Sequence, residues 1–395
     1  MNKIGPLLLF PMLLLVSCAD QSIITGNLDF DPNGNWRNKV YLIDPISFDG
    51  IGSSYMGKII DSATVQPDGS FSFLNLPEME QAQIIQLCVQ KKDEKYLNKL
   101  DNEDVENSNY FPLVWQAGKR IDVSTSVENF QRDFTIKNPS PENQAMIELR
   151  DLRYRAFKDF VKEGLTGTHD PAGLLTRERS EAEFQKVLID FAENTDYLFP
   201  GLVSIRWTSP DANYERIPEF IFGQCNKWKD SNPDHPFVRQ LCQWAVKDKL
   251  PLMIGDVVPD FPMPMLSGDT VPLHRLLGER LTIIDLWASW CIPCRHENRE
   301  VLAPLWDQYH ADGLQIVGYA LDASESVWKK AVKKDGADRW LHASHLEGDN
   351  SPLFEALRII TIPANFIVDD TGLVLEKNLH GRDLAEFLNE YFAKY

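Results

Sequence analysis

The segment LTIIDLWASWCIPCR, Leu281 to Arg295, decides how this chain is read. Its first seven residues form a near-continuous apolar run, the pattern of a strand buried on both faces of an α/β sheet. Trp290, Cys291, Ile292, Pro293 and Cys294 follow at once, and Pro293 suits an opening helical position. The two cysteines therefore stand where a buried strand hands over to a helix. Unpaired backbone N–H groups and the positive end of the helix dipole stabilise a thiolate there, which makes Cys291 the attacking nucleophile. Cys294 lies one turn further along the same helical face, placed to attack a mixed disulfide at Cys291 and release reduced substrate. Asp285 interrupts the apolar run, and a buried carboxylate costs several kcal/mol unless it is partnered or held protonated. Six residues before Cys291, it is a candidate acceptor for the proton of Cys294.

Other uses of a Cys-x-x-Cys pair fit less well. Covalent haem attachment needs a His after the second Cys, and residue 295 is Arg. Structural zinc needs two further ligands, and the chain has no second Cys-x-x-Cys and no paired His motif, so no metal and no cofactor is expected. A purely structural disulfide is the remaining alternative.

Downstream, Leu314 to Leu321 reads as a second buried strand. Ala364 to Val368 and Leu373 to Glu376 read as a hairpin turning at Asp369 to Gly372, and Leu384 to Phe392 as a closing helix. These elements define an α/β domain over residues 251–395. Upstream, residues 139–250 carry helical signals. Ser140 and Pro141 are an N-cap and first helical residue, Met146, Leu149, Leu152, Phe157 and Phe160 follow at helical spacing, and Ser180 with Glu183 reads as a capping box. Cys225 and Cys242 lie equally far on either side of the breaker SNPDHP (Ser231 to Pro236). An antiparallel helical hairpin would place them face to face, as a structural disulfide or as two packed thiols.

Residues 23–138 show short β-prone runs between turn residues, as in a β-sandwich-like domain. The clearest hairpin expected is Lys58 to Val65, a turn at Pro67 to Gly69, then Phe71 and Phe73. Lys91 to Asn109 reads as a charged, solvated loop. Residues 1–17 have the shape of a signal peptide: Lys3, then an apolar run from Ile4 to Val16 that is shorter than a membrane span. The run ends Leu15, Val16, Ser17, Cys18, which resembles a bacterial lipobox with Cys18 as the lipidated residue. Export places the remaining cysteines in an oxidising compartment. Their count is odd without Cys18, and Cys88, inside an apolar strand, is the expected spare and buried thiol.

A chain of 395 residues exceeds one ordinary core, and a composition of 43% hydrophobic and 25% charged residues is that of a globular protein. A formal charge of −18 excludes sequence-independent nucleic-acid binding, which needs clustered Lys and Arg. The expected layout is a multi-domain chain with a β-rich domain, a helical middle region and a C-terminal α/β domain.

Three segments together carry a family resemblance: Pro259, Asp260 and Phe261; IIDLWASWCIPCRHE, Ile283 to Glu297; and ITIPANFIVDDTG, Ile360 to Gly372. They resemble the TlpA and ResA type of thioredoxin-like thiol-disulfide reductase over residues 251–395. The resemblance implies a thioredoxin fold, Asp285 as the buried acid, Pro363 as a cis-proline facing the disulfide, and Ile362 offering its backbone to an extended substrate. Trp290, Ile362 and Pro363 are then the substrate-binding positions. Glu297 matches an acidic residue near the active site of such proteins, with a solvated helix Glu as the alternative. Arg299 stands where a proline is common, Pro304 lies farther on, and Ala364 replaces a frequent Thr, departures that bear on redox potential and substrate preference.

The function expected is thiol-disulfide exchange: a reductase of protein disulfides, apocytochrome c among them, lipid-anchored in the cell envelope, facing the periplasm and recharged by a membrane thiol donor. Two alternatives stand beside it. A thiol peroxidase of the same fold would carry a Pro-x-x-x-Thr-x-x-Cys setting, and the seven residues before Cys291 contain neither Pro nor Thr. A ligand- or partner-binding lipoprotein using the C-terminal domain as scaffold would have no need of Cys291, Cys294, Asp285 and Pro363 together.

Overall fold

The computed structural model describes residues 23–74, 76, 81–116, 118–162, 171–359 and 361–394. Cys18 and the rest of the expected signal segment lie outside them. The chain divides into two compact units, residues 1–46 with 50–148, and residues 47–49 with 149–395. The helical residues after 148 and the α/β domain fall in the same unit.

The first unit is β-rich. Its strands are β1 (Ile23–Asp29), β2 (Lys39–Asp44), β3 (Lys58–Thr64), β4 (Ser70–Phe73), β5 (Gln83–Cys88), β6 (Tyr110–Trp115), β7 (Arg120–Ser126) and β8 (Thr135–Ile136). They form two four-stranded sheets, ordered β4-β1-β7-β8 and β3-β2-β5-β6. Alternation places Ile24 and Leu28 of β1 and Ile121 and Val123 of β7 in the core.

The expected hairpin between β3 and β4 does not form. The turn is present, with Gly69 at φ 82° and its N–H on the Gln66 carbonyl, but β3 pairs with β2 and β4 pairs with β1. A local turn signal fixes the reversal and leaves open which sheet each strand joins. The 91–109 segment is less solvated than its composition suggests, because Leu97 and Leu100 are buried and Asn109 donates to the carbonyl of Val89 at 2.8 Å. Cys88 is buried and free, and burial pushes its thiol up to about 12 despite the hydroxyl of Ser54 beside it.

Helices α1 (Pro141–Ala156), α2 (Pro171–Asn194), α3 (Leu198–Thr208), α4 (Pro218–Lys229) and α5 (Pro236–Trp244) make up the middle of the chain. Ser180 and Glu183 do not cap a helix: α2 opens at Pro171 and runs through both. Pro171 supplies the stronger start signal, and the Ser-x-x-Glu spacing recurs by chance within helices. α4 and α5 form the hairpin around residues 231–236, and Cys225 and Cys242 are joined in a disulfide across it, with their Cα atoms 5.0 Å apart. The bridge spans 17 residues of sequence. Closing a loop of that size restricts the unfolded chain by about 3 kcal/mol. Replacing both cysteines by Ser is therefore expected to lower the unfolding free energy by roughly 2–4 kcal/mol. Guanidinium titration of both proteins checks this, and coincident midpoints would rule out a stabilising bridge.

The α/β domain opens with a small hairpin of β9 (Pro262–Pro264) and β10 (Thr270–Pro272). Its main sheet holds β11 (Leu281–Trp287), β12 (Leu314–Ala320), β13 (Leu341–Ala343), β14 (Ala364–Asp369) and β15 (Val374–Lys377) in the order β13-β12-β11-β14-β15. The central strand β11 runs parallel to β12 and antiparallel to β14, and all seven of its residues are buried. Between and after the strands come α6 (Ile292–Glu297), α7 (Ala303–Tyr309), α8 (Glu325–Lys334), α9 (Pro352–Leu357) and α10 (Gly381–Lys394). α6 reaches α7 through a π-helical turn at Asn298–Leu302. Pro304 lies just beyond that turn; it has no N–H to donate and its ring crowds the carbonyl four residues back, which the wider turn accommodates.

Candidate active site

Cys291 is the N-cap of α6, in extended conformation, with Pro293 in the first turn. Its sulfur accepts the N–H of Cys294 at 3.2 Å, and the Arg295 N–H bonds its carbonyl at 3.0 Å. The two cysteines are joined in a disulfide. Both are buried, at 6% and 2% exposure, while the flanking Trp290 and Ile292 are about 60% exposed, at 60% and 62%. A narrow sulfur edge between two exposed apolar side chains suits contact with another polypeptide.

The turn carrying the pair is tied down on two sides. Asp322 accepts the N–H of Ser289 at 2.9 Å and the Ser289 hydroxyl. Arg295 bonds Asp335 through two nitrogens, Nη2 at 2.7 Å, and reaches back to the Ser289 carbonyl at 3.1 Å. Arg299 adds a third bond to Asp335 at 2.9 Å. Asp335, fully enclosed at the end of α8, thus fixes the first turn of α6 by paired charges.

Asp285 stands on β11, the strand that runs into the cysteine turn, between Gly318 of β12 and Asn365 of β14 in the sheet register. Burial pushes its carboxyl up to about 7, the Glu297 charge adds to this, and the His380 charge opposes it. A carboxyl so placed changes protonation near neutral pH, as an acceptor for a thiol proton should. Glu297 is buried, at 2% exposure, and so is no solvated helix side chain. Its Oε1 accepts the N–H of Gly381 at 2.9 Å and stands 3.8 Å from His380 Nδ1.

The Ile362–Pro363 bond is cis, and both residues are half-buried. Because β14 runs antiparallel to β11, with Ala364 opposite Leu286, the residues just before β14 lie at the end of the sheet where β11 gives way to the cysteine turn. Topology thus brings Ile362 and Pro363 to the dithiol end, where Trp290 also stands. Sequence reasoning missed His380, Asp335, Asp322 and Ser289. Arg295 was noticed only for not being the His of a haem motif, and no local signal marks the others.

Residues 254–377 match the AhpC/TSA family. The C-terminal region is a thioredoxin-like domain of that family. Among similar proteins, the Bacillus subtilis thioredoxin-like protein YneN is 26% identical over 134 residues, 34% of this chain and 76% of that protein. The Pseudomonas fluorescens thiol:disulfide interchange protein DsbE is 25% identical over 149 residues, 36% and 76% respectively. A solved thiol-disulfide oxidoreductase from Bacteroides fragilis shares 28% identity, covering 34% of this chain and 98% of that one, with a TM-score of 0.32. Such relatives are named thiol:disulfide interchange proteins or thiol-disulfide oxidoreductases, and the chain is a thiol:disulfide oxidoreductase enzyme.

Proposed function

We propose that this chain reduces disulfides of other proteins in the cell envelope, with apocytochrome c among its substrates. The observation that carries the reading is a dithiol at the start of α6, just after the strand that holds a buried acid whose carboxyl burial pushes up to about 7. The Cys291 thiolate attacks one sulfur of a substrate disulfide, forming a mixed disulfide and expelling the other sulfur as a thiolate. Cys294 then gives its proton to Asp285 and attacks Cys291 Sγ. The Cys291–Cys294 disulfide forms, the second substrate thiolate leaves and takes a proton, and two electrons have passed to the substrate. A dithiol donor in the membrane restores the reduced pair.

Pro293 between the cysteines favours a reducing couple over a strongly oxidising one. Equilibration with defined glutathione mixtures tests this. The expected potential lies nearer the value of about −270 mV typical of thioredoxin than the value of about −120 mV of a strong oxidant. A value close to the latter would reverse the direction. Anchoring through an acylated Cys18 belongs to the same proposal, and a Cys18→Ala variant that remained processed and membrane-bound would remove it.

A further inference from the structure

His380 has no part in the exchange itself, yet the fold delivers it to Glu297, whose charge acts on Asp285. Asn365, opposite Asp285 on β14, clamps the backbone of Leu379 from both sides: its Nδ2 donates to the Leu379 carbonyl at 2.6 Å, and its Oδ1 accepts the Leu379 N–H at 3.1 Å. The next two residues then meet Glu297, Gly381 through its N–H and His380 through Nδ1 at 3.8 Å. That separation suits an ion pair and is too long for a hydrogen bond. Glu297 Oε2 and His380 Nδ1 are both buried and find no hydrogen-bond partner among the described residues.

We propose that His380 is a positioning residue for the resolving step, its charge compensating Glu297 so that Asp285 can ionise and accept the proton of Cys294. The inference rests on the reductase reading above. With the imidazole protonated, Glu297 is paired and Asp285 loses its proton at lower pH. With the imidazole neutral, Glu297 is an uncompensated like charge that keeps Asp285 protonated. Burial supplies most of the upward push on Asp285, and these two groups modulate it in opposite directions.

Several of the other charged groups on the surrounding elements are engaged elsewhere. Arg295 of α6 is held by Asp335. Arg382 and Asp383 of α10 pair with Glu386 and with Arg179 of α2, and Lys377 of β15 pairs with Glu219. His296, half-buried on α6, and Glu376 of β15, pushed up by burial and by the Glu219 charge, are further titratable groups on these elements, and the facing residues of β12 and β14, Gly318 and Asn365, are neutral.

The test follows the carboxyl carbon resonance of Asp285 against pH in the wild type, His380→Gln, His380→Lys and Glu297→Gln, beside the pH profile of mixed-disulfide resolution in single turnover. His380→Gln should move the Asp285 titration and the resolution profile up by roughly one pH unit, the lower end for loss of a nearby opposite charge. Glu297→Gln should move both down, and His380→Lys, which keeps a cation, should restore the wild-type position or go below it. An Asp285 titration in His380→Gln that coincides with wild type would overturn the inference. Absence of disulfide reduction by the wild type would instead overturn the reductase reading, and with it the step assigned to His380.

Discussion

Cys291→Ser is expected to reduce turnover of a protein disulfide such as insulin to the uncatalysed background, because a hydroxyl at the α6 N-cap cannot form the mixed disulfide. Cys294→Ser should also lose turnover, for a different reason. The attacking sulfur remains, supported by the backbone N–H of residue 294, but no second thiol stands one turn away to release the product. Steady-state rates of insulin precipitation check both variants. Turnover retained by Cys291→Ser would remove that residue from the role of nucleophile. Loss of the Arg295 and Arg299 bonds to Asp335 would act less directly, by loosening the turn that presents the pair.

Asp285→Asn should separate chemistry from stability. Resolution by Cys294 should slow by about 10- to 1000-fold, in the range of one general base, with the first attack by Cys291 less affected. Stability responds in the opposite sense. The Asp285 carboxyl titrates at about 7 in the folded protein, against 3.8 for the free group. Between those values the folded state holds a proton that the unfolded chain has lost. Its contribution is therefore fully present below about pH 4, falls as pH rises toward 7, and changes no further above that. At about 1.4 kcal/mol per pH unit, the loss is on the order of 4 kcal/mol. Asn carries no such dependence, although its buried amide has its own cost, so the readout is the change with pH. Denaturant unfolding of the oxidised proteins at pH 4.5 and pH 8 should show the variant gaining on wild type at the higher pH. Parallel behaviour would place an ordinary, solvated carboxyl at Asp285.

Much of the α/β domain was legible because its signals are local. The all-buried strand β11, the hairpin of β14 and β15 about Asp369 to Gly372, and the closing α10 each announce themselves within a dozen residues. The cysteine pair at a strand-to-helix junction is equally local. What the sequence hid depends on partners far along the chain. Arg295 meets Asp335 from 40 residues away, and Glu297 meets Gly381 from 84. No spacing rule connects such positions, so neither the enclosed Asp335 nor His380 could be singled out. Burial of Glu297 was hidden for the same reason, since the loop that covers it follows β15. In the first unit the turn before β4 was visible, but the choice of β1 as its partner is made by pairing across the sheet and not by the turn. The capping box misled because Ser180 and Glu183 satisfy a local pattern inside a helix that had already begun.

The central claim is that Cys291 attacks and Cys294 resolves. It is tested most directly by mass spectrometry of each serine variant after incubation with a disulfide-containing polypeptide. Cys294→Ser should accumulate a covalent adduct of substrate mass at Cys291 that dithiothreitol releases, and Cys291→Ser should carry none. Adducts on Cys291→Ser alone, or on neither variant, would contradict the assignment.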